Sequence, residues 1–342
     1  MGGNKTYRIS FALLGIALLL SWLLNISSGS VDIPFDQVVS ILLHGGSGDA
    51  WDYIIWEYRV PKAFTAILVG GGLSLSGLLM QTLFRNPLAG PFVLGISSGA
   101  SLGAALLLMG TSLATGLATL SFLGDISLAL ASSVGSFLVL LVVMAMAQRI
   151  KDSMALLIIG LMFGSISSAL VSVLAYFSSA ENLQRFVFWS LGSVGNLSTV
   201  QLFLLAGMVC LGILLSLASL KPLNAFLLGE NYAQSLGISL KKSRMAIIIA
   251  TGLLAGGVTA FAGPIAFVGL AVPHLSRQIF DTMEHRVLIP AVLLYGAVLM
   301  LLCDTVAQWP NSANVLPINA ITSLVGAPVV IWLLVRKRKM IF

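Results

Sequence analysis

The sequence predicts an all-α polytopic membrane protein, and three observations carry that prediction. Of its 342 residues, 58% are hydrophobic and only 9% are charged, against roughly 25% charged in a soluble globular domain. Its mean hydropathy is +1.02, too much apolar surface to hide in one core beneath a wettable exterior. The apolar residues fall into ten stretches, each near the roughly 20 residues that a helix needs to cross a bilayer. The basic residues cluster between alternate stretches, which sets an orientation. Irregular backbone cannot face lipid, so the stretches are expected to be helices packed as a bundle. The length suits a single transmembrane domain, 1–342, with short loops.

The expected spans run in order. The first, 9–27, follows Lys5 and Arg8; no clean small-residue cleavage site follows it, so it reads as a retained span. The second, 63–84, stops at Arg85-Asn86-Pro87. Proline disfavours helix in the residue before it, so Asn86 is expected to end the span and Pro91 to help restart the chain. The third, 92–110, opens on Ser97, Ser98, Gly99 and Ala100. The fourth to seventh are 126–148, 154–177, 197–220 and 245–262. The eighth, 264–279, is short and carries Pro264 and Pro273, and 287–303 and 318–335 complete the set. Glycines recur at four-residue spacing in Gly99–Gly103, Gly160–Gly164 and Gly252–Gly256, the small-residue pattern that lets membrane helices approach closely.

With the N-terminus in the cytoplasm, fifteen of the 18 basic residues fall inside, against four acidic ones; Arg59, Lys62 and Arg185 fall outside with the other eight acids. Both termini are then cytoplasmic, and the net charge of +6 is a topology signal rather than a nucleic-acid signature. Residues 66–77, "AILVGGGLSLSG", echo residues 250–263, "ATGLLAGGVTAFAG", and a proline-broken segment follows each. Spans two and seven run in opposite directions, which fits an inverted repeat of spans 2–5 and 7–10.

The longest inner connection is 221–244, "KPLNAFLLGENYAQSLGISLKKSR". Within it, "GENYAQSLG" predicts an amphipathic helix of about two turns with Ala233 and Leu236 on one face and Gly237 as its C-terminal glycine. Two readings are open on physical grounds: a helix in the headgroup layer, with Lys241, Lys242 and Arg244 meeting anionic lipid, or a knob that a partner buries.

From about Arg59 to Leu334 the chain resembles the FecCD/BtuC family, membrane subunits of binding-protein-dependent ABC importers for iron-siderophores, haem and cobalamin. Five stretches carry the resemblance in order: Arg59-Val-Pro-Lys62, "SGLLMQTLFRNPLAGPFVLGISSGAS", "LLGENYAQSLGI", "GPIAFVGLAVPHLSR" and "LPINAITSLVGAPVVIWLL". The resemblance implies ten helices per subunit, a second permease copy (a homodimer) around one pathway, and an extracytoplasmic substrate-binding protein. It also implies two cytoplasmic ATPases that hold ATP and Mg, with no cofactor on this chain. It makes 221–244 an ATPase-coupling loop with Gly229, Glu230, Ala233, Leu236 and Gly237 at the contact, and makes Arg59 and Lys62 binding-protein docking residues. Arg85, Asn86, Pro87, Pro264 and Pro273 become hinge and motif positions. The fifth span and the segment after it become the pathway wall, with Ser165, Ser168 and Ser172. The chain departs from the family pattern at Gln308, commonly arginine, at Val315, usually glutamate, at Asn319, usually glycine, and at Gly90, often acidic.

Two other classes compete. "GISSG", 95–99, matches the G-x-S-x-G pattern and, with His274, raises an intramembrane serine protease using Ser97; that elbow needs a strand before the serine, and here both flanks are apolar helix. An ion-coupled secondary transporter would leave mid-span carboxylates or histidines, and Asp304 and His274 lie at span ends. No Gly-Lys pair exists for a Walker A loop, so ATP hydrolysis belongs to another chain and this one is not an enzyme. Cys210 and Cys303 read as apolar fillers, His44 and His285 as solvated loop residues, and no metal site is assigned.

Overall fold

Apolar segments that must satisfy their own backbone become helices, and the computed structural model, which describes residues 3–45, 48–110, 125–150, 153–195, 197–308 and 315–335, has no strand among them. In chain order the helices are α1 (Gly3–Ser27), α2 (Phe35–His44), α3 (Ala50–Leu83, with a π-helical stretch at Ile54–Arg59), α4 (Ile96–Met109), α5 (Asp125–Ala147) and α6 (Ser153–Tyr176). They continue as α7 (Ala180–Ser190), α8 (Thr199–Ala218), α9 (Leu220–Leu227), α10 (Glu230–Ser235), α11 (Leu240–Ala262, with a π-helical stretch at Gly252–Gly256), α12 (Val268–Phe280), α13 (His285–Gln308) and α14 (Ile318–Val335). The basic cluster at 336–339, with Lys151 and Asp152, lies outside the described residues.

Every expected span contains a helix, but the ten are unequal. Seven helices are long and apolar enough to cross a membrane: α1, α3, α5, α6, α8, α11 and α13. The third and eighth expected stretches hold shorter helices, with 14 residues in α4 and 13 in α12, and neither is among those seven. At 1.5 Å per residue each covers about 20 Å of a hydrocarbon core of roughly 30 Å. The eighth begins at Val268 rather than 264, because Gly263–Phe267 is not helical. The fourth irregular residue of that break is held by a side chain: the Ala266 N–H donates to Asn319 Oδ1 at 3.0 Å. The corresponding lead into α4 is a 3₁₀ turn, Pro91–Leu94, and Gly95. No residue of either segment is exposed, which is the condition under which irregular backbone is tolerated at membrane depth.

Helix α3 forms the centre, with 83% of its apolar window buried. It packs on α13, α12, α8 and α11. The packing follows the correspondence of spans 2–5 with 7–10: α3 lies on α13 as α11 lies on α5, and α4 touches α5 and α6 as α12 touches α13 and α14. Both short helices are also entered through a left-handed residue, Gly95 (φ 73°) and Phe267 (φ 66°). One continuous apolar cluster runs from Ile26 through Leu73, Leu79, Ile96, Leu254 and Val292 to Ile321.

Candidate functional site

The 221–244 segment folds into two short helices and the start of a third. Helix α9 ends at Leu227, and Gly229 (φ 106°) turns the chain into α10. Helix α10 then closes in a Schellman arrangement: the Gly237 N–H donates to Gln234 O (2.9 Å) and the Ile238 N–H to Ala233 O (3.1 Å). Gly237 has φ 79°, the left-handed conformation that this cap asks of its C-terminal residue. The expected helix and its terminal glycine are therefore present, but the shared face is not. Ala233 is fully buried, whereas Leu236 is 59% exposed, because Leu236 has left the helix at its C-cap. The outward apolar groups are Leu228, Tyr232 and Leu236, each at least half exposed. Glu230 forms an ion pair with the buried Arg244 of α11, which binds α10 to the seventh span.

The inner end of α3 meets this segment. Thr82 and Gln81 are fully buried in its last turn. The Arg85 N–H donates to Thr82 O and the Asn86 N–H to Gln81 O (3.3 and 3.1 Å), with Arg85 at φ 46°. The helix thus ends in a second Schellman cap, and Asn86 Oδ1 then accepts from the Leu88 N–H at 2.9 Å, so Pro87 sits in a tight turn. Gln81 donates to Leu270 O (3.2 Å) and accepts from Arg277 Nη1 (2.7 Å), joining α3 to α12. Pro264 lies in the break before α12 and Pro273 inside that helix. His285 is 1% exposed, which corrects its reading as a solvated residue. Its ring lies 2.9 Å from Thr82 Oγ1 and 2.7 Å from Asn224 Oδ1. Residue-by-residue reading found neither partner of His285, since Asn224 and Thr82 lie 61 and 203 positions away.

At the other end of the bundle a cavity of about 570 Å³ is lined by Tyr58, Arg59, Lys62, Ser193, Asp304, Gln308 and Val315, among others. Asp304, 2% exposed, forms its polar floor. Its carboxylate pairs with Lys62 (3.2 Å) and accepts from Asn25 Nδ2 (2.9 Å) and Gln308 Nε2 (2.6 Å). Arg59 departs from the outward-facing arginine expected there. It is 7% exposed, and its guanidinium donates to Ile26 O (2.8 Å), Ser27 O (3.0 Å) and Val31 O. The physical reason is the chain turning back after α1, whose last carbonyls need donors.

The expected pathway serines lie on α6. Ser165, Ser168 and Ser172 are exposed, and Ser165 and Ser172 each return their hydroxyl to the carbonyl four residues back. The protease constellation does not form. Ser97 follows a 3₁₀ turn rather than a strand, and its hydroxyl lies 3.2 Å from Thr259 Oγ1. Among the described residues no group of three His, Cys, Asp or Glu side chains could hold a metal ion.

A sequence profile of the FecCD transport family matches residues 17–336. The vitamin B12 import system permease protein BtuC of Klebsiella pneumoniae subsp. pneumoniae is 36% identical to this chain, over 95% of it and 93% of the relative. The protein of the same name from Salmonella typhi is 35% identical, over 98% and 97%. A solved structure described as an inward-facing conformation of a metal-chelate type ABC transporter superposes with a TM-score of 0.81 at 30% identity, covering 97% of this chain and all of the other. PsaBC from Streptococcus pneumoniae, in complex with a Fab, shares the fold alone, at a TM-score of 0.57 and 16% identity over 87% and 95%.

Proposed function

The chain belongs to the FecCD transport family, and from that premise we propose how it works as the permease subunit of an ABC importer in the bacterial inner membrane. It carries a metal chelate inward: an iron-siderophore, haem or a cobalamin-type chelate, vitamin B12 being the cargo named for its relatives. Two cytoplasmic ATPases bind ATP and Mg, and this chain supplies the path. Membership of the family displaces the secondary-transporter and protease readings.

The observation that carries the coupling assignment is the α9–α10 pair: a short, tethered element that exposes Leu228, Tyr232 and Leu236 at the basic end of the bundle. Lipid does not explain it well, because the lysines that would meet headgroups, Lys241 and Lys242, lie beyond the Gly237 cap on another helix. An ATPase groove would bury the three apolar groups, with Gly229, Glu230, Ala233 and Gly237 fixing the shape presented. At the outer end we assign docking of an extracytoplasmic binding protein to the cavity that Lys62 lines, with Arg59 shaping its wall from inside. The homodimer, with α6 at the pathway, belongs to the same reading.

The test uses the intact permease with its cognate ATPase. Leu236→Asp is expected to cut ATPase co-purification by about tenfold or more, the loss a central apolar anchor brings at an interface. Uptake by cells is then measured separately with cyanocobalamin, a ferric siderophore and haemin. Uptake of one chelate, lost in Leu236→Asp and in an ATPase-inactive strain, supports the assignment. Uptake that survives ATPase inactivation overturns it.

A further inference from the structure

The function assigned above requires movement of the α9–α10 pair to reach the spans, and the contacts at the inner end of the bundle differ in what they can transmit. The Glu230–Arg244 pair joins α10 to α11, the helix that follows it in the chain. The other connection crosses the molecule. Asn224 of α9 accepts the backbone N–H of His285 (3.0 Å) and faces its Nδ1 (2.7 Å) through the same oxygen, Oδ1. The backbone donor fixes that oxygen as an acceptor, so Nδ1 carries a proton and donates to it. In the neutral ring Nε2 is then the acceptor, and Thr82 Oγ1 lies 2.9 Å away.

Thr82 has one hydroxyl proton and two acceptors in reach, since Leu78 O also lies at 2.9 Å. The bond to His285 is therefore one that Thr82 can give up without leaving its proton unpaired. His285 and Thr82 are 1% and 0% exposed, so water does not compete for the bond between them, while the Asn224 bonds are partly buried. Buried hydrogen bonds of this kind weaken steeply when stretched or bent, so a shift of α9 either carries His285 with it or breaks the chain of contacts. His285 begins α13 and Thr82 stands in the last turn of α3, beside Gln81, which binds α12.

Resting on the coupling assignment, we propose that Asn224, His285 and Thr82 form a positioning link that carries displacement of the ATPase-facing segment into α3 and α13. None of the three touches cargo or nucleotide in this scheme; each acts through its neighbour. Thr82→Val removes the hydroxyl while keeping the shape, Thr82→Ser keeps the hydroxyl, and Asn224→Ala removes the common acceptor.

The test is made on the full permease–ATPase complex. Spin labels at Tyr58→Cys and Val315→Cys, on the rim of the outer cavity, are placed in a background where Cys210 and Cys303 are serine. Distance distributions are recorded with and without ATP–vanadate, together with ATP hydrolysis and thermal stability. In the parent complex a vanadate-dependent shift across the cavity is expected. Thr82→Val and Asn224→Ala should reduce the shifted fraction about fivefold or more, within the usual range of coupling between sites, while ATP hydrolysis persists. Thr82→Ser should retain the shift, and the double variant should be no worse than either single one, as expected for groups in one chain. A full shift in Thr82→Val and Asn224→Ala overturns the link. So does a loss that follows a matching fall in stability and hydrolysis, which marks a merely structural role. No shift in the parent complex, seen before any variant is made, refutes the coupling assignment itself and the link with it.

Discussion

Arg59 shows what a single charged side chain does when the chain folds back over it. Its three acceptors are the carbonyls of Ile26 and Ser27, at the end of α1, and of Val31 in the following turn. Helix C-termini leave carbonyls without donors, and a planar guanidinium spreads its donors over separate nitrogens, here Nη1 and Nη2, where an ammonium gathers its three on one. The fit is tight: a Cβ on Gly29 would sit 2.9 Å from Arg59 Nη2. Arg59→Lys is therefore expected to leave at least one buried carbonyl unpaired and to destabilise the protein by about 2 kcal/mol, the cost of losing a charge-assisted hydrogen bond. A thermal melt of the detergent-solubilised protein checks this; an unchanged melting temperature contradicts the capping role. The sequence marks Arg59 as an important cation but not the direction it faces, because the turn at 28–33 carries no span signal. Asp304 and His285 are similar. Asp304 is legible at a span end and His285 reads only as a loop residue, while their partners, Asn25 and Lys62 for one and Thr82 and Asn224 for the other, come from distant segments.

At the scale of elements, glycine spacing decides how near the helices come. Each four-residue pair seen in the sequence lies at a contact. Gly99 and Gly103 meet Gly135 and Ala131 of α5, Gly160 meets Val93 and Gly164 meets Ser98, while Gly252 meets Leu140 and Gly256 meets Ile96. The closest approach lies elsewhere, between α3 and α12, where a Cβ on Gly77 would fall 1.6 Å from Gly269 O. That neighbour is backbone, so relief requires the helices to separate. Gly77→Ala is expected to cost about 3 kcal/mol or more, the upper end for overpacking. Gly207→Ala, with nothing within 4 Å of the new Cβ, is expected to be neutral or slightly stabilising, since alanine favours helix by about 1 kcal/mol over glycine. Detergent melts of the two variants side by side test the contrast, and equal effects would contradict it. The long helices were legible because length and hydropathy identify them. Even the start of α8 is written locally, in the reciprocal cap between Ser198 and Gln201. Helices α2 and α7 escaped because 10 and 11 residues fall below any span criterion. The breaks at 91–95 and 263–267 were only partly legible: Pro91 and Pro264 mark that the chain is interrupted there, but their neighbours are apolar and unexposed, which hides how far the irregular backbone extends.

For the whole molecule, the unequal burial of the spans is a statement about assembly. The apolar window of α3 is 83% buried within one chain, that of α6 only 17%. Its fully covered residues form a single row, Leu156, Gly160, Ser167 and Leu174, flanked by the half-buried Leu157, Phe163 and Val171, and the opposite side faces outward. Apolar exposure alone is what lipid accepts, and α8 shows it plainly with Phe203 at 73%. Helix α6 differs by placing Ser165, Ser168 and Ser172 among its exposed residues. Small polar side chains let membrane helices approach or line a wet path, whereas lipid rewards neither feature. One chain's sequence displays these serines as well as it displays any others, yet it does not say what lies opposite them; in the proposed homodimer that would be a second copy of the chain. If α6 faces its counterpart across a symmetry axis, like positions meet like positions. Ser168→Cys and Ser172→Cys, each in a background where Cys210 and Cys303 are serine, are then expected to give a disulfide-linked dimer under mild oxidation in native membranes. That bond requires Cα atoms within about 7 Å. Phe203→Cys in the same background is expected to stay monomeric on a non-reducing gel. Cross-linking at 203 without any at 168 or 172 would move the dimer axis to α8 and take the pathway with it.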